Sequence, residues 1–150
     1  MSITTHQETS TQLFDRSRLL VDLDEATDPE SPDSVLVVVG LHGLGETFDE
    51  PGSHPIVTQL RERFVAIVGG SGATYSTRST ELCAILDGGV HDVVQVIGAI
   101  HEGFARAAAR ADVRVSTGFV ELPREAEGVP EALALADRRM TAADGPIRHD

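Results

Sequence analysis

Val35-Leu36-Val37-Val38-Val39-Gly40-Leu41 is the stretch that decides the fold, because it is a run of apolar, mostly β-branched residues without a polar side chain. A strand with one face in water alternates apolar and polar residues, so this run predicts a strand covered on both faces. Gly43 and Gly45 then interrupt the chain. Apolar residues recur at helical spacing from Ile56 to Val68, and Gly69-Gly70 ends that pattern. The first unit is therefore a buried strand followed by a helix.

Four more elements follow on the C-terminal side. Two strands are predicted over Ala73–Ser79 and Glu81–Asp87, joined by a tight turn or a bulge. An apolar stripe from Val93 to Ala108 predicts an amphipathic helix. Alternation from Val113 to Val120 predicts a half-buried last strand, which Pro123 ends.

The order strand–helix–strand–strand–helix–strand over Ser34–Leu122 predicts an α+β, ferredoxin-like βαββαβ sandwich. Its sheet has four antiparallel strands, and both helices lie on one face. The other face has no cover in this prediction, although Cys83 and Ile85 point toward it. An open apolar face favours association with another subunit, so a homodimer or homotetramer is expected.

Two flanking segments complete the predicted domain organisation. Residues 1–33 are expected to form a partly disordered extension, with a short edge strand over Leu19–Leu23 and an acidic open loop over Asp22–Asp33. Residues 34–124 form the ligand-binding domain. Residues 125–150 form a second extension, with a short helix over Pro130–Met140 and a frayed tail.

Composition and charge narrow the function classes. The chain has 150 residues, one domain's worth, and a net charge of −12 with no lysine. Such a chain repels a phosphate backbone, which argues against nucleic-acid binding, and attracts cationic molecules. A phosphate-binding loop over Gly40–Gly45 is disfavoured because Glu46, Asp49 and Glu50 follow it.

Metal, disulfide and membrane sites are not expected. Cys83 is the only cysteine, and no two of the six histidines lie two to four positions apart. The chain begins without a signal-peptide pattern, and no apolar run approaches the ~20 residues of a membrane span. A cytoplasmic protein without a cofactor is the expectation.

Paired carboxylates are the chemical feature of most interest. Glu81 and Asp87 bracket the third strand and, six positions apart, project to the same face. Tyr75 and Thr77 lie along the neighbouring strand, so a small polar pocket with an aromatic wall can form. Carboxylates and a π face suit a cation that bears an amine. The alternative is that Glu81 and Asp87 are strand-end charges in water.

Several segments together resemble the thiamine- or hydroxymethylpyrimidine-binding proteins, a YkoF-like family with one ferredoxin-like repeat per chain. The resemblance covers Ser34 to Arg124. It rests on these pieces, taken in the family's order: Leu44-Gly45, Tyr75–Asp87, Leu86-Asp87-Gly88, Val90-His91-Asp92-Val93-Val94, Arg114-Val115-Ser116-Thr117 and Arg124.

The resemblance implies a ligand and roles for five residues. Glu81 and Asp87 would hold an aminopyrimidine, and Tyr75 and Thr77 would shape the pocket. Arg78 would take a phosphate or a partner carboxylate. The implied function is non-enzymatic binding of thiamine or its pyrimidine precursor, on the open sheet face or at a subunit interface.

Two other functions stay open from the sequence. The first is an assembly or regulatory module whose open sheet face serves only subunit contacts. The second is a small enzyme that uses Glu81, Asp87 or His91 as an acid or base.

Overall fold

The computed structural model describes residues 13–42, 55–78, 81–111 and 114–149. The helices and strands are α1 (Arg16–Ala26), β1 (Ser34–His42), α2 (Pro55–Val68), β2 (Gly72–Arg78), β3 (Glu81–Asp87), α3 (Val90–Ala111), β4 (Arg114–Leu122) and α4 (Val129–His149). A single 3₁₀ turn, Gly69–Ser71, joins α2 to β2. The described chain is thus a mixed α/β structure with four strands and four α-helices.

The four strands form one antiparallel sheet in the order β2-β3-β1-β4. β1 is central and pairs with β3 and β4 on its two sides, and both of its faces are buried, as its apolar sequence predicts. Ser34, its first residue, lies opposite Asp87 of β3 and Leu122 of β4. β2 and β4 are therefore the two edge strands.

Helices cover both faces of this sheet. On one face, Leu60 and Phe64 of α2 and Phe104 of α3 pack against one set of alternating strand residues. The rings of Phe64 and Phe104 meet edge to face with centroids 5.9 Å apart. The opposite set of strand residues packs against α1 and α4, through Leu19 and Leu23 among others. The two helices predicted from the sequence, α2 and α3, thus share one face, but the expectation that the second face is open is wrong.

Helix α1 replaces the edge strand predicted over Leu19–Leu23. Asp15 is its N-cap, accepting a hydrogen bond from the Arg18 backbone N–H at 3.0 Å. Leu19 and Leu23, four positions apart, are fully buried on one side of the helix. This spacing is a helix signal, so the apolar residues belong to a helix that packs on the sheet. The predicted open loop over Asp22–Asp33 begins only after Ala26, where Thr27 caps the helix end.

Helix α4 covers the rest of the second face and is longer than the predicted Pro130–Met140. It runs from Val129 to His149, through most of the predicted frayed tail. Gly118 of β4 lets it approach the sheet, since a Cβ there would lie 2.7 Å from the Ala136 carbonyl oxygen. The boundaries predicted at 33/34 and 124/125 stay a prediction, although α1 and α4 lie outside them and contribute to the second core.

Candidate functional site

The residues predicted to bind a ligand do not gather in one pocket. Tyr75 and Asp87 line one cavity, whereas Thr77 and Glu81 line another. Glu81 and Asp87 stand at the two ends of β3, about 20 Å apart along the strand. Side-chain alternation puts them on one face, but α1 and α4 pack on that face between them. Ligand binding by these residues stays a prediction.

The first cavity, which we call the acidic pocket, has a volume of about 510 Å³. It lies where β1 begins and β3 ends, beneath α1. Carboxylates of Asp22, Glu25, Asp33 and Asp87 line it, and none of the described residues lining it is an arginine. Among the described residues, Asp22 alone of these four carboxylates has an ion pair, with Arg18 at 3.2 Å. The acidic pocket is therefore a region of concentrated negative charge.

Tyr75 closes one side of the acidic pocket and ties α1 to the sheet. Its side chain is 1% exposed, and its hydroxyl donates a 2.5 Å hydrogen bond to Oδ2 of Asp22. Burial, followed by the hydrogen bond and the charge of Asp22, raises the pKa of Tyr75 well above its ordinary range. The ring also packs against Phe14, with centroids 5.9 Å apart. Tyr75 is thus a neutral, buried residue at one side of the acidic pocket, and its role as the aromatic wall of a ligand site stays a prediction.

The second cavity has a volume of about 180 Å³ and lies toward the other end of the same sheet face. Thr77 Oγ1 donates a 2.6 Å hydrogen bond to Oε1 of Glu81 within it. Burial, with a smaller effect from Glu81, raises the pKa of the Cys83 thiol to about 12. The thiol therefore stays protonated at neutral pH and is a poor nucleophile.

Arg78 ends β2, with its backbone opposite Glu81. The register of β2 against β3 shifts between Ser76 and Arg78, where an irregularity interrupts the pairing. The side chain of Arg78 and the predicted turn at 79–80 lie outside the described residues. The proposed contact of Arg78 with a phosphate or carboxylate stays a prediction.

A third cavity, which we call the apolar groove, was missed at the level of sequence. It has a volume of about 930 Å³ and lies between α3 and the edge strand β4. Val94 and Phe119 line it and are 54% and 38% exposed. The sequence held one signal for this groove: Val94 is an apolar residue that lies outside the buried stripe of α3.

The described residues show neither a cluster of metal ligands nor a membrane-spanning helix. No three His, Cys, Asp or Glu side chains within residues 13–42, 55–78, 81–111 and 114–149 converge as metal ligands. Within the same ranges, no helix is long and apolar enough to cross a membrane.

The fold is similar to that of GGDEF domains. The chain resembles diguanylate cyclase SiaD from Pseudomonas aeruginosa, solved with its activator SiaC (TM-score 0.72, 17% identity, 91% of this chain and 57% of that chain). It resembles the GGDEF domain of YfiN (TpbB) from the same organism (0.71, 15%, 91% and 92%). It also resembles the GGDEF domain of DgcB from Caulobacter crescentus in complex with c-di-GMP (0.68, 17%, 91% and 88%). No protein-family profile and no curated protein sequence matches the chain.

The likenesses correct three expectations from the sequence, and the fold corrects a fourth. The suspected thiamine-binding family is wrong, because the similar structures are GGDEF domains. The thiamine-like ligand is wrong for the same reason, since DgcB was solved with c-di-GMP. The expectation of a non-enzymatic protein is contradicted, because SiaD, whose fold the chain shares, is a diguanylate cyclase. Assembly through an open sheet face also fails, since α1 and α4 occupy that face.

Proposed function

We propose that the chain is a domain of cyclic-di-GMP metabolism that binds a guanine nucleotide, GTP or cyclic di-GMP. The likeness to GGDEF domains supports this proposal, and the main support is how much of the chain the likeness covers. The elements from Ser34 to Leu122 make up 89 of the 150 residues, yet the likeness covers 91% of the chain. It therefore extends to the flanking helices that cover the second sheet face.

The ferredoxin-like core by itself does not indicate a function. A βαββαβ order with an antiparallel sheet in the order 2-3-1-4 supports a ferredoxin-like core. Many unrelated functions use such a core, so it carries no function by itself. The proposal rests instead on the likeness over most of the chain to solved structures that include a diguanylate cyclase and a GGDEF domain in complex with c-di-GMP.

One departure bears on catalysis. The name of the GGDEF domain spells Gly-Gly-Asp-Glu-Phe, and this chain contains no such run. Its glycine pairs are followed by other residues, in Gly69-Gly70-Ser71 and Gly88-Gly89-Val90. We therefore propose nucleotide binding only, and the conversion of GTP to cyclic di-GMP is measured as a separate question. The expected cytoplasmic location remains part of the proposal.

Charge sets the conditions of the test. A net charge of −12 disfavours a ligand that carries phosphates, so a divalent cation must neutralise part of the ligand's charge. Binding is measured by calorimetry with cyclic di-GMP and with GTP, each with and without Mg²⁺. ATP and cyclic di-AMP are the matched controls, because only the base differs.

The expected result is binding of at least one guanine nucleotide in preference to its adenine counterpart. At 100 times Kd, that ligand should stabilise the fold by about 2.7 kcal/mol in a melting experiment. Incubation with GTP and Mg²⁺, followed by chromatography, detects any cyclic di-GMP formed. If guanine and adenine nucleotides bind equally weakly and no product forms, the proposal is wrong.

A further inference from the structure

The acidic pocket combines unpaired carboxylates with a buried hydroxyl. Among the described residues, Glu25, Asp33 and Asp87 line it without an ion pair. Ser34 lies directly opposite Asp87 in the β1–β3 register, so the two side chains share a sheet face. The structure thus places three free anionic groups around the start of β1.

Ser34 gives an independent sign that the pocket takes a ligand. The residue lines the pocket and is 7% exposed, and its Oγ has no hydrogen-bond partner among the described residues. A buried hydroxyl without a partner is unfavourable, since it has given up its hydrogen bond to bulk water. A donor group inside the pocket would satisfy this oxygen together with the neighbouring carboxylates.

The remaining wall of the pocket is apolar. Ala26, Ala73 and Ile85 line it beside the carboxylates. A long aliphatic stem that ends in a cationic, hydrogen-bond-donating head matches this arrangement. Lysine and arginine side chains have that form.

We propose that the acidic pocket receives a lysine or arginine side chain from a basic segment of a partner protein. The stem packs on Ala73 and Ile85, and the head donates to Asp87, Asp33 and Ser34 Oγ. The chemistry of the pocket does not suit a nucleotide phosphate, which these carboxylates repel. A metal ion is disfavoured too, because the described carboxylates do not converge as ligands.

The surface around the pocket favours a segment over a single free amine. Residues 22–33 contain six Asp or Glu and no Arg, and Asp24, Asp28 and Glu30 among them are exposed outside the pocket. Such a surface attracts further positive charges on the same partner chain and speeds their encounter. A partner with several basic residues therefore matches both the pocket and its rim.

The probe for this proposal is a fluorescein-labelled decapeptide of alternating glycine and arginine. Its control replaces each arginine by citrulline, which keeps the shape and removes the charge. Binding is read by fluorescence anisotropy at physiological salt, where distant charges are largely screened. We expect Asp87→Asn and Asp33→Asn each to weaken binding about tenfold, and Ser34→Ala to weaken it measurably.

Asp24→Asn and Glu30→Gln are the matched controls, because each removes one exposed charge outside the pocket. They should weaken binding by about twofold or less. Equal losses in all four carboxylate variants would show general attraction and overturn the proposal. Binding of the citrulline peptide, or equally tight binding of free argininamide, would also overturn it.

The peptide proposal does not rest on the proposed nucleotide function, and the two can be tested independently. Asp87→Asn should leave binding of cyclic di-GMP or GTP unchanged, with the fold checked by circular dichroism. The peptide result therefore stands whether or not the nucleotide proposal survives.

Discussion

The hydroxyl of Tyr75 on β2 donates a 2.5 Å hydrogen bond to the carboxylate of Asp22 on α1, fifty-three positions away in sequence. This bond joins an edge strand to the helix that covers the second sheet face. Phe14, just before α1, extends the link, because its backbone N–H donates to Thr74 O at 3.0 Å. The contact holds α1 against the edge of the sheet, and it yields the first prediction.

Tyr75→Phe should lower the free energy of unfolding by about 1 kcal/mol at pH 8, since the hydrogen bond is lost while the ring stays. The pKa of Tyr75 is raised in the folded state. The protonated hydroxyl therefore stabilises the fold fully below the pKa of the unfolded protein, and this stabilisation fades as the pH rises past about 10. Urea unfolding at pH 8 and above pH 10 checks this, and an unchanged difference at high pH would contradict it.

The same residue offers a direct optical test. Tyr75 is the only tyrosine and the chain has no tryptophan, so tyrosinate absorbance near 295 nm reports this side chain alone. Because its pKa is raised, we expect no native titration near pH 10 and a sharp rise only on alkaline unfolding. The urea-unfolded protein, titrating near the ordinary value, is the control. A reversible native titration near pH 10 would mean that Tyr75 is exposed.

Gly118→Ala should destabilise the fold by about 1–3 kcal/mol. The new Cβ would lie 2.7 Å from Ala136 O and 2.9 Å from Met140 N, so α4 must move away from β4. Gly98→Ala is the matched control. Nothing lies within 4 Å of a Cβ on Gly98 in α3, so it should stabilise by about 0.5–1 kcal/mol. Similar melting temperatures for the two variants would refute the close approach of α4.

Glu125→Gln should destabilise the fold at neutral pH but not in strong acid. Arg139 donates two hydrogen bonds to Glu125, at 2.7 and 3.0 Å, and lowers the pKa of that carboxyl to about 2. Because the pKa of Glu125 is lower in the folded protein than in the unfolded one, the ionised carboxylate stabilises the fold above the unfolded value near 4.5. This stabilisation is lost as the pH falls toward 2. The pair is partly exposed, so we expect about 1 kcal/mol at pH 7. Urea unfolding from pH 7 to pH 2.5 should show the two proteins converging, and a constant difference would exclude the ion pair as the cause.

Cys83 should be unreactive in the native protein. Its thiol is 1% exposed, and burial raises its pKa to about 12. A thiol reagent such as dithionitrobenzoate at pH 8 should therefore modify it at the rate of local or global opening. The urea-unfolded protein reacts quickly and serves as the control. Fast stoichiometric reaction without denaturant would show that α1 and α4 do not cover β3.

Several features of the fold follow from local pattern alone. The bounds predicted for β3, Glu81–Asp87, coincide with the strand in the structure. The end of β4 at Leu122 follows from Pro123, which cannot continue the ladder. These patterns are legible because strand and helix periods, and proline's missing N–H, act over a few neighbouring residues.

The candidate site was predictable only in its parts. That Asp87 and Glu81 face one side of β3 follows from alternation. The tertiary contacts of β1, β2 and α1 decide which groups these two carboxylates meet. Asp87 lies in one cavity with Asp22, Asp33 and Ser34, whereas Glu81 accepts a hydrogen bond from Thr77 in another. Leu19 and Leu23 carry a helical spacing, but the short apolar run over Leu19–Leu23 suggested an edge strand. The acidic residues and prolines that follow suggested an open loop.

The sequence by itself determined the order of strands and helices from Ser34 to Leu122, the burial of β1 and the strong negative charge. Tertiary structure alone decided that α1 and α4 close the second face and divide its polar residues between two cavities. The physical reason is the distance along the chain over which each interaction acts. Periodicity is set by adjacent residues, whereas the face on which a helix packs depends on apolar surface contributed by strands far away in the chain.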